Sequence, residues 1–201
     1  MSNLKSDTRI IHPPRLGITP PQILGPFYPI SELPDSAVDL TRPTGSAAAA
    51  RGELICVSGR VLAASGEPVA HARIEIWQAN AAGKYRHPSD TNPAPLDPNF
   101  KGFARLTTDA AGHYKFHTIK PGRYPTIEGE IRPPHIHFGV DGRFDRLVTQ
   151  LYFAGEPENQ TDRWLNSAAQ PERLIVGLQA PVSHLESHPR HAHFDIVVPS
   201  G

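Results

Sequence analysis

The sequence predicts an all-β protein: a β-sandwich of mostly antiparallel strands, with long proline-rich loops and an N-terminal arm. Three observations carry this expectation. Proline supplies 22 of the 201 residues, about double its average usage of roughly 5%, and proline removes a backbone donor and breaks helix interiors. Short apolar and alternating runs recur along the chain, as strands with a buried face require. Clusters of Gly, Pro and Asp separate these runs and supply the turns between them.

In chain order, residues 1–50 are proline-rich, contain an alanine tract from Ala47 to Ala50, and hold no sustained period. They read as an arm that wraps and not as a separate domain, which leaves 51–201 as the sandwich domain. Residues 54–62 form a β-like run, Ser65, Gly66 and Pro68 mark a turn, and 72–77 read as a second strand. Further strands are expected at 103–107, 114–118, 135–140, 146–153 and 193–198, with turns at 109–112 and at Asp141-Gly142. One short helix is expected at 161–169 or 171–176, where period alone does not decide. No internal repeat is present.

Composition excludes several classes of partner. Acidic and basic residues number 20 each, and the isoelectric point is near 7.2. That balance gives no basic patch for nucleic acid and no charge run for a membrane surface. Cys56 is the single cysteine, so no internal disulfide can form. The N-terminal residues lack the apolar core of a signal peptide, and no run approaches transmembrane length. A cytoplasmic address is expected.

The chemistry concentrates in Arg132-Pro133-Pro134-His135-Ile136-His137-Phe138. Two histidines at i and i+2 of a strand point to one side and can share a metal. Ile136 and Phe138 then face the core, so the segment reads as a half-buried strand with Arg132 at its mouth. Upstream, Tyr85 and Tyr124 each sit in a loop after a glycine, where packing rarely demands an aromatic. Two phenolates beside two neutral imidazoles suit a hard, highly charged ion, and Fe(III) fits best. A free tyrosine has a pKa of about 10, but a trivalent cation displaces its proton. His191-Ala192-His193, with His184 and His188 nearby, is a second His-x-His without tyrosines; it reads as a solvated segment entering the last strand. Tyr114 alternates with Phe116 and reads as core, and Tyr28 belongs to the arm.

The runs 75–87, 96–100, 112–125 and 132–138, in this order, resemble the intradiol ring-cleaving dioxygenases, above all their protocatechuate-cleaving branch. Gly25-Pro26-Phe27-Tyr28 resembles the family's N-terminal signature, and Gln150-Leu151-Tyr152-Phe153 continues the likeness toward the last strand. The resemblance implies Fe(III) held by Tyr85, Tyr124, His135 and His137. It implies a catecholic substrate bound through both hydroxyls, opened between them by both atoms of O2 to a cis,cis-muconate, with no external reductant. Tyr124 would be the axial ligand that leaves when substrate arrives. Arg132 would stabilise negative charge on the ring, and Gln150 would assist. Trp77 and Tyr152 match family positions near the pocket and are expected to contact substrate. For Arg132 the alternative role is a strand anchor, ion-paired to Glu128 or Glu130.

Two departures bear on substrate and assembly. Thr126 to Ile131 form a shorter and more acidic link than the protocatechuate branch has, which weakens the case for a substrate carboxylate. Catechol and hydroxyquinol dioxygenases carry a helical N-terminal region that residues 1–50 are too short and proline-rich to supply. All four ligands lie on this chain, so a homo-oligomer is expected, with a second subunit type as the alternative. Residues 57–61, 66–69 and 72–76 also resemble transthyretin-like modules, which bind without catalysis. That competing reading explains 54–77 alone. A Zn(II) hydrolase is a third reading, but no Glu or Asp stands in a base position beside His135 and His137.

Overall fold

The computed structural model describes residues 15–30, 38–42, 48–142, 144–181 and 189–199. His184 and His188 lie outside this set. The described residues form β1 (Leu54–Ala63), β2 (Arg73–Gln78), β3 (Phe103–Thr107), β4 (His113–Ile119), β5 (Tyr124–Pro125) and β6 (Ile131–Arg132). They continue as β7 (His135–Asp141), β8 (Arg146–Phe153), α1 (Arg163–Asn166), β9 (Ile175–Val176), β10 (Arg190–His193) and β11 (Ile196–Val198). Strands expected at 103–107 and 146–153 form over those residues, and four others agree to within one residue at each end. The helix is a single turn, started by Asp162, whose side chain accepts from Leu165 N at 2.7 Å. The 171–176 alternative is a 3-10 turn, Pro171–Leu174, leading into β9. No helix among the described residues is long and apolar enough to cross a membrane.

The strands make two main sheets, as a sandwich requires. In the first, β1 is the spine: β4 pairs antiparallel along one edge, while β10 and β11 pair parallel along the other. The single strand expected at 193–198 is therefore two. Gly59 explains the break, since a Cβ there would lie 1.9 Å from Phe194 O. The chain crosses β1 at that point, with Phe194 N bonded to Ser58 O at 2.9 Å and Asp195 accepting from Arg60 N at 2.8 Å.

The second sheet has the order β3-β2-β7-β8-β9, with β7 at its centre. Ile136, Phe138 and Val140 point from β7 into the core between the sheets and are fully buried. Phe138 meets Phe116 of the first sheet at 6.1 Å and Phe194 at 5.5 Å between ring centroids. By alternation His135 and His137 occupy the opposite face, which in an open sandwich would meet water.

Here the arm changes the outcome. It starts on the first sheet, with Leu16 N bonded to Ala64 O and Thr19 N to Val197 O, then crosses to β8 through Gln22 N to Val148 O at 2.8 Å. Thr149 and Gln150 hold it by donating to Pro20 O and Ile23 O. With the arm over β8 and Tyr85, Tyr124 and Tyr152 against His135, the expected half-buried strand is buried on both faces, six of its seven residues being buried. A separate two-stranded ribbon, β5 with β6, sets Tyr124 directly opposite Arg132.

Candidate metal centre

Close backbone approach brings the two tyrosines together. A Cβ on Gly83 would lie 2.2 Å from Arg123 O, so glycine alone lets the loop before Tyr85 lie against the chain before Tyr124. The Tyr85 loop is also knotted: Asp90 accepts from Tyr85 N at 2.7 Å and from Asn92 N at 2.8 Å. Lys84 Nζ bonds Asp90 O at 2.7 Å and Asn92 O at 2.5 Å. The tyrosine rings then stand edge to face, 5.4 Å apart.

The phenols meet the β7 histidines at one point. His135 Nε2 lies 3.5 Å from Tyr85 Oη, 3.4 Å from Tyr124 Oη and 3.2 Å from His137 Nε2. Tyr85, Tyr124, His135 and His137 are all buried. His135 Nδ1 is 2.7 Å from Pro133 O. A carbonyl only accepts, so Nδ1 carries the proton and Nε2 turns a lone pair toward the cluster. His137 Nδ1 is buried without a partner, and its ring stacks on Trp77 at 4.8 Å.

Electrostatics set the protonation states. Burial, followed by the Arg132 charge, holds both imidazoles well below their ordinary pKa, so both are neutral. Burial raises the Tyr85 phenol well above its usual value, and the neighbouring Tyr124 adds to this. Burial also raises Tyr124, outweighing the lowering effect of Arg132. Four neutral donors thus converge at separations mostly longer than good hydrogen bonds. Their contacts with one another are long, 3.2–3.5 Å about His135 Nε2. The donor set fits a hard metal ion, because two of its members become anionic oxygens once their protons are displaced.

Beside this cluster, Arg132 is buried and immobilised. It donates to Asp162 Oδ2 at 2.6 Å, Gln150 Oε1 at 2.9 Å and Tyr152 Oη at 2.8 Å, and its guanidinium lies 4.3 Å from the Trp164 ring. Its acidic partner is therefore Asp162. The expected alternatives, Glu128 and Glu130, pair instead with Arg163. Gln150 sits opposite His137 in the β7–β8 register, and Tyr152 sits opposite His135. Trp77 is the register neighbour of His137 on β2.

A cavity of about 520 Å³ opens onto Tyr124 and Arg132, walled by Phe27 of the arm, Pro93, Ile127 and Trp164. A depression of about 580 Å³ near Ser65, His71 and Asp141 contains none of the four donors. Of the candidate site residues, Tyr124 and Arg132 line the smaller space. Trp77 and Tyr152, expected to touch substrate, are not in the cavity wall; each packs against a histidine ring as its neighbour in the sheet. The second His-x-His is unlike the first: His191 Nε2 bonds Ser58 Oγ at 2.8 Å, and His193 is exposed beside Asp195.

Sequence reasoning missed Asp162, Trp164 and the work of the arm. Asp162 carried a signal, because Asp-x-x-Leu before a helical turn is an N-cap pattern, but nothing local shows its bond to Arg132. Gly25-Pro26-Phe27-Tyr28 stood out as a motif without a role. In the structure Phe27 lies 4.7 Å from the Tyr85 ring, and the backbone at Gly25 lies against His137.

Comparison with known proteins gives the class. A family model described as Dioxygenase matches residues 23–200. The chain is 43% identical over 179 residues to the protocatechuate 3,4-dioxygenase beta chain of Burkholderia cepacia, covering 86% of this chain and 76% of that one. It is 33% identical over 164 residues to the protocatechuate 3,4-dioxygenase alpha chain of Pseudomonas putida, covering 77% and 79%. Among solved structures it is similar to the dioxygenase domain of a carbohydrate-binding fusion from Streptomyces sp. SirexAA-E, with a TM-score of 0.70 and 27% identity, covering 92% of this chain and 100% of that one. This chain belongs to the intradiol ring-cleaving dioxygenase family.

Proposed function

We propose that the protein is a non-heme Fe(III) dioxygenase that opens a catechol between its two hydroxyls with both atoms of O2, giving a cis,cis-muconate. Protocatechuate is the leading substrate, since the 43% identical Burkholderia cepacia relative is named for it. One observation carries the reading: two buried phenols and two neutral imidazoles converge beside a cavity, His135 Nε2 lying within 3.5 Å of the other three donor atoms. Iron held by Tyr85, Tyr124, His135 and His137 would supply a Lewis acid for the catechol oxygens and the means to bring O2 to the ring.

The chain's own residues do the rest. Tyr85 and Tyr124 give up phenolic protons when the metal enters, so loading releases protons and weakens as pH falls. Pro133 O keeps His135 in the tautomer that presents Nε2. Tyr124 sits on a two-residue strand that pairs with β6 alone, whereas His135 and His137 are locked in the central strand. That difference supports Tyr124 as the more mobile of the residues that would hold iron, and its phenolate would be the base placed to take a proton from the catechol. Arg132, fixed by Asp162, Gln150 and Tyr152, holds a permanent positive charge where the ring gains electron density. Gln150 orients that guanidinium. The arm excludes water from the histidine face and so belongs with 51–201 to one catalytic unit. Because one chain carries all four donors, a homo-oligomer is the expected assembly, and sedimentation tests it.

Turnover in labelled O2 tests the reaction. The expected product of protocatechuate is a carboxymuconate carrying both labelled atoms. A semialdehyde would place cleavage outside the hydroxyl pair and overturn the Fe(III) assignment, while failure to turn over any catechol would favour the binding-module reading.

A further inference from the structure

Two arginines line the cavity among the described residues, and the proposed reaction uses one of them. Arg132 and Arg163 both hold their guanidinium groups 4.3 Å from the Trp164 ring. Their surroundings are otherwise opposite. The Arg132 side chain is 3% exposed and fixed by buried Asp162. Arg163 is 52% exposed, and its partners are Glu128 and Glu130 in the turn joining β5 to β6, exposed at 63% and 50%. Exposed ion pairs contribute little and exchange partners readily. A guanidinium also takes a planar carboxylate through two parallel N–H bonds. Glu128 and Glu130 therefore stand where an incoming carboxylate would bind.

We infer that Arg163 determines specificity by binding a carboxylate carried on the catechol ring, with Glu128 and Glu130 acting as internal carboxylates that compete for it. This rests on the ring-cleavage reading above. Stacking on Trp164 limits the directions in which Arg163 can present its N–H groups. The relative exposures put Arg132 at the enclosed, metal end of the cavity and Arg163 at its mouth. A ring seated by its hydroxyls near Tyr124 turns its far substituent toward that mouth. The acidic link between Tyr124 and Arg132, which seemed to argue against a carboxylated substrate, becomes the internal competitor that tunes how tightly one is held. A catechol without a carboxylate has no means of displacing Glu128 or Glu130.

Anaerobic calorimetry on the iron-loaded chain, with protocatechuate and with catechol, reads this directly as binding. Arg163→Gln is expected to raise the ratio of the two Kd values, protocatechuate over catechol, about tenfold or more, the scale of one charge-assisted contact. Glu128→Gln with Glu130→Gln is expected to lower that ratio by freeing Arg163. The triple variant separates attraction by Arg163 from simple repulsion by the glutamates. With both glutamates neutral, adding Arg163→Gln must still raise the ratio; an unchanged ratio overturns the inference. If neither compound binds the wild-type chain, the ring-cleavage reading fails and takes this inference with it. If both bind and the ratio ignores Arg163, only this inference fails.

Discussion

His135-Ile136-His137 and His191-Ala192-His193 are one motif placed on two strands, and the difference between them shows what turns a motif into a site. The first lies on β7, at the centre of a five-stranded sheet, and the second on β10, beside β1. In the first pair the Nε2 atoms are 3.2 Å apart and both rings are buried, with Gly25 of the arm against His137. In the second pair the ring centroids are 6.4 Å apart, one histidine is tied to Ser58 and the other is exposed beside Asp195. Tyr85 and Tyr124 approach only the first pair. Spacing puts two imidazoles on one side of a strand in both places. Burial, a fixed tautomer and two acidic oxygens are added by distant parts of the chain.

The sharpest way to break this comparison is to remove one histidine at a time. His135→Ala or His137→Ala is expected to lose nearly all iron, and with it the red-brown colour of tyrosinate bound to Fe(III). The loss should exceed the 10–100-fold in metal affinity that changing a group behind a ligand costs, roughly speaking. His191→Ala and His193→Ala are expected to keep both iron and colour. Metal analysis and absorption spectra on the four purified variants decide it. Equal iron loss from both pairs would show that environment does not distinguish them.

A smaller effect is expected from Arg132, the buried guanidinium that borders the first pair. Arg132→Lys should keep iron and colour while kcat/KM falls by roughly 10²-fold or more, because loss of one preorganised donor costs about 2.7–4 kcal/mol and Lys lacks the planar fork. Its bond to Asp162 makes a stabilising role the competing account, since an unpaired charge there would be buried. Iron content, melting temperature and steady-state kinetics on the same variant separate the two. Near-normal kcat/KM with a lowered melting temperature would leave Arg132 as an anchor.

The same contrast explains how far the sequence could be read. The β7 strand and its alternation were plain, because Ile136 and Phe138 declare a core face and the histidines must take the other. The strand break at Phe194 was hidden, since it depends on Gly59 lying across the sheet from it. The two-residue ribbon carrying Tyr124 was also hidden, being too short to show a period. Asp162 lies 30 residues from Arg132 in the chain, and no local pattern connects them. Likeness to a family supplied the tyrosines as ligands, but the enclosure of the outer face follows from long-range hydrogen bonds that composition does not encode.

The least effect is expected from loosening the cover itself, and the acid limb of stability exposes it. Tyr28 secures the arm by donating to Glu75 Oε2 at 2.7 Å, and Glu75 is held from two other strands by Arg105 and Arg146. Burial alone would raise the Glu75 carboxyl, but hydrogen bonds from Arg146 and Tyr28, with the Arg146 charge and a further bond from Arg105, outweigh it and hold the group below its ordinary value. A depressed folded pKa means that the stabilisation is complete above the unfolded value, near 4.5, and disappears as pH falls below it through the folded value. Glu75→Gln should therefore cost about 1–3 kcal/mol at neutral pH, with the gap to wild type narrowing below about pH 4.5. Denaturant titrations of the metal-stripped proteins between neutral and acid pH measure that gap. Iron retention at His135 and His137 should weaken in step at neutral pH, because the arm over them is held less tightly. A gap that stays constant into acid would mean that the Glu75 charge does not secure the arm, and the enclosure of the first histidine pair would have to come from the β8 contacts alone.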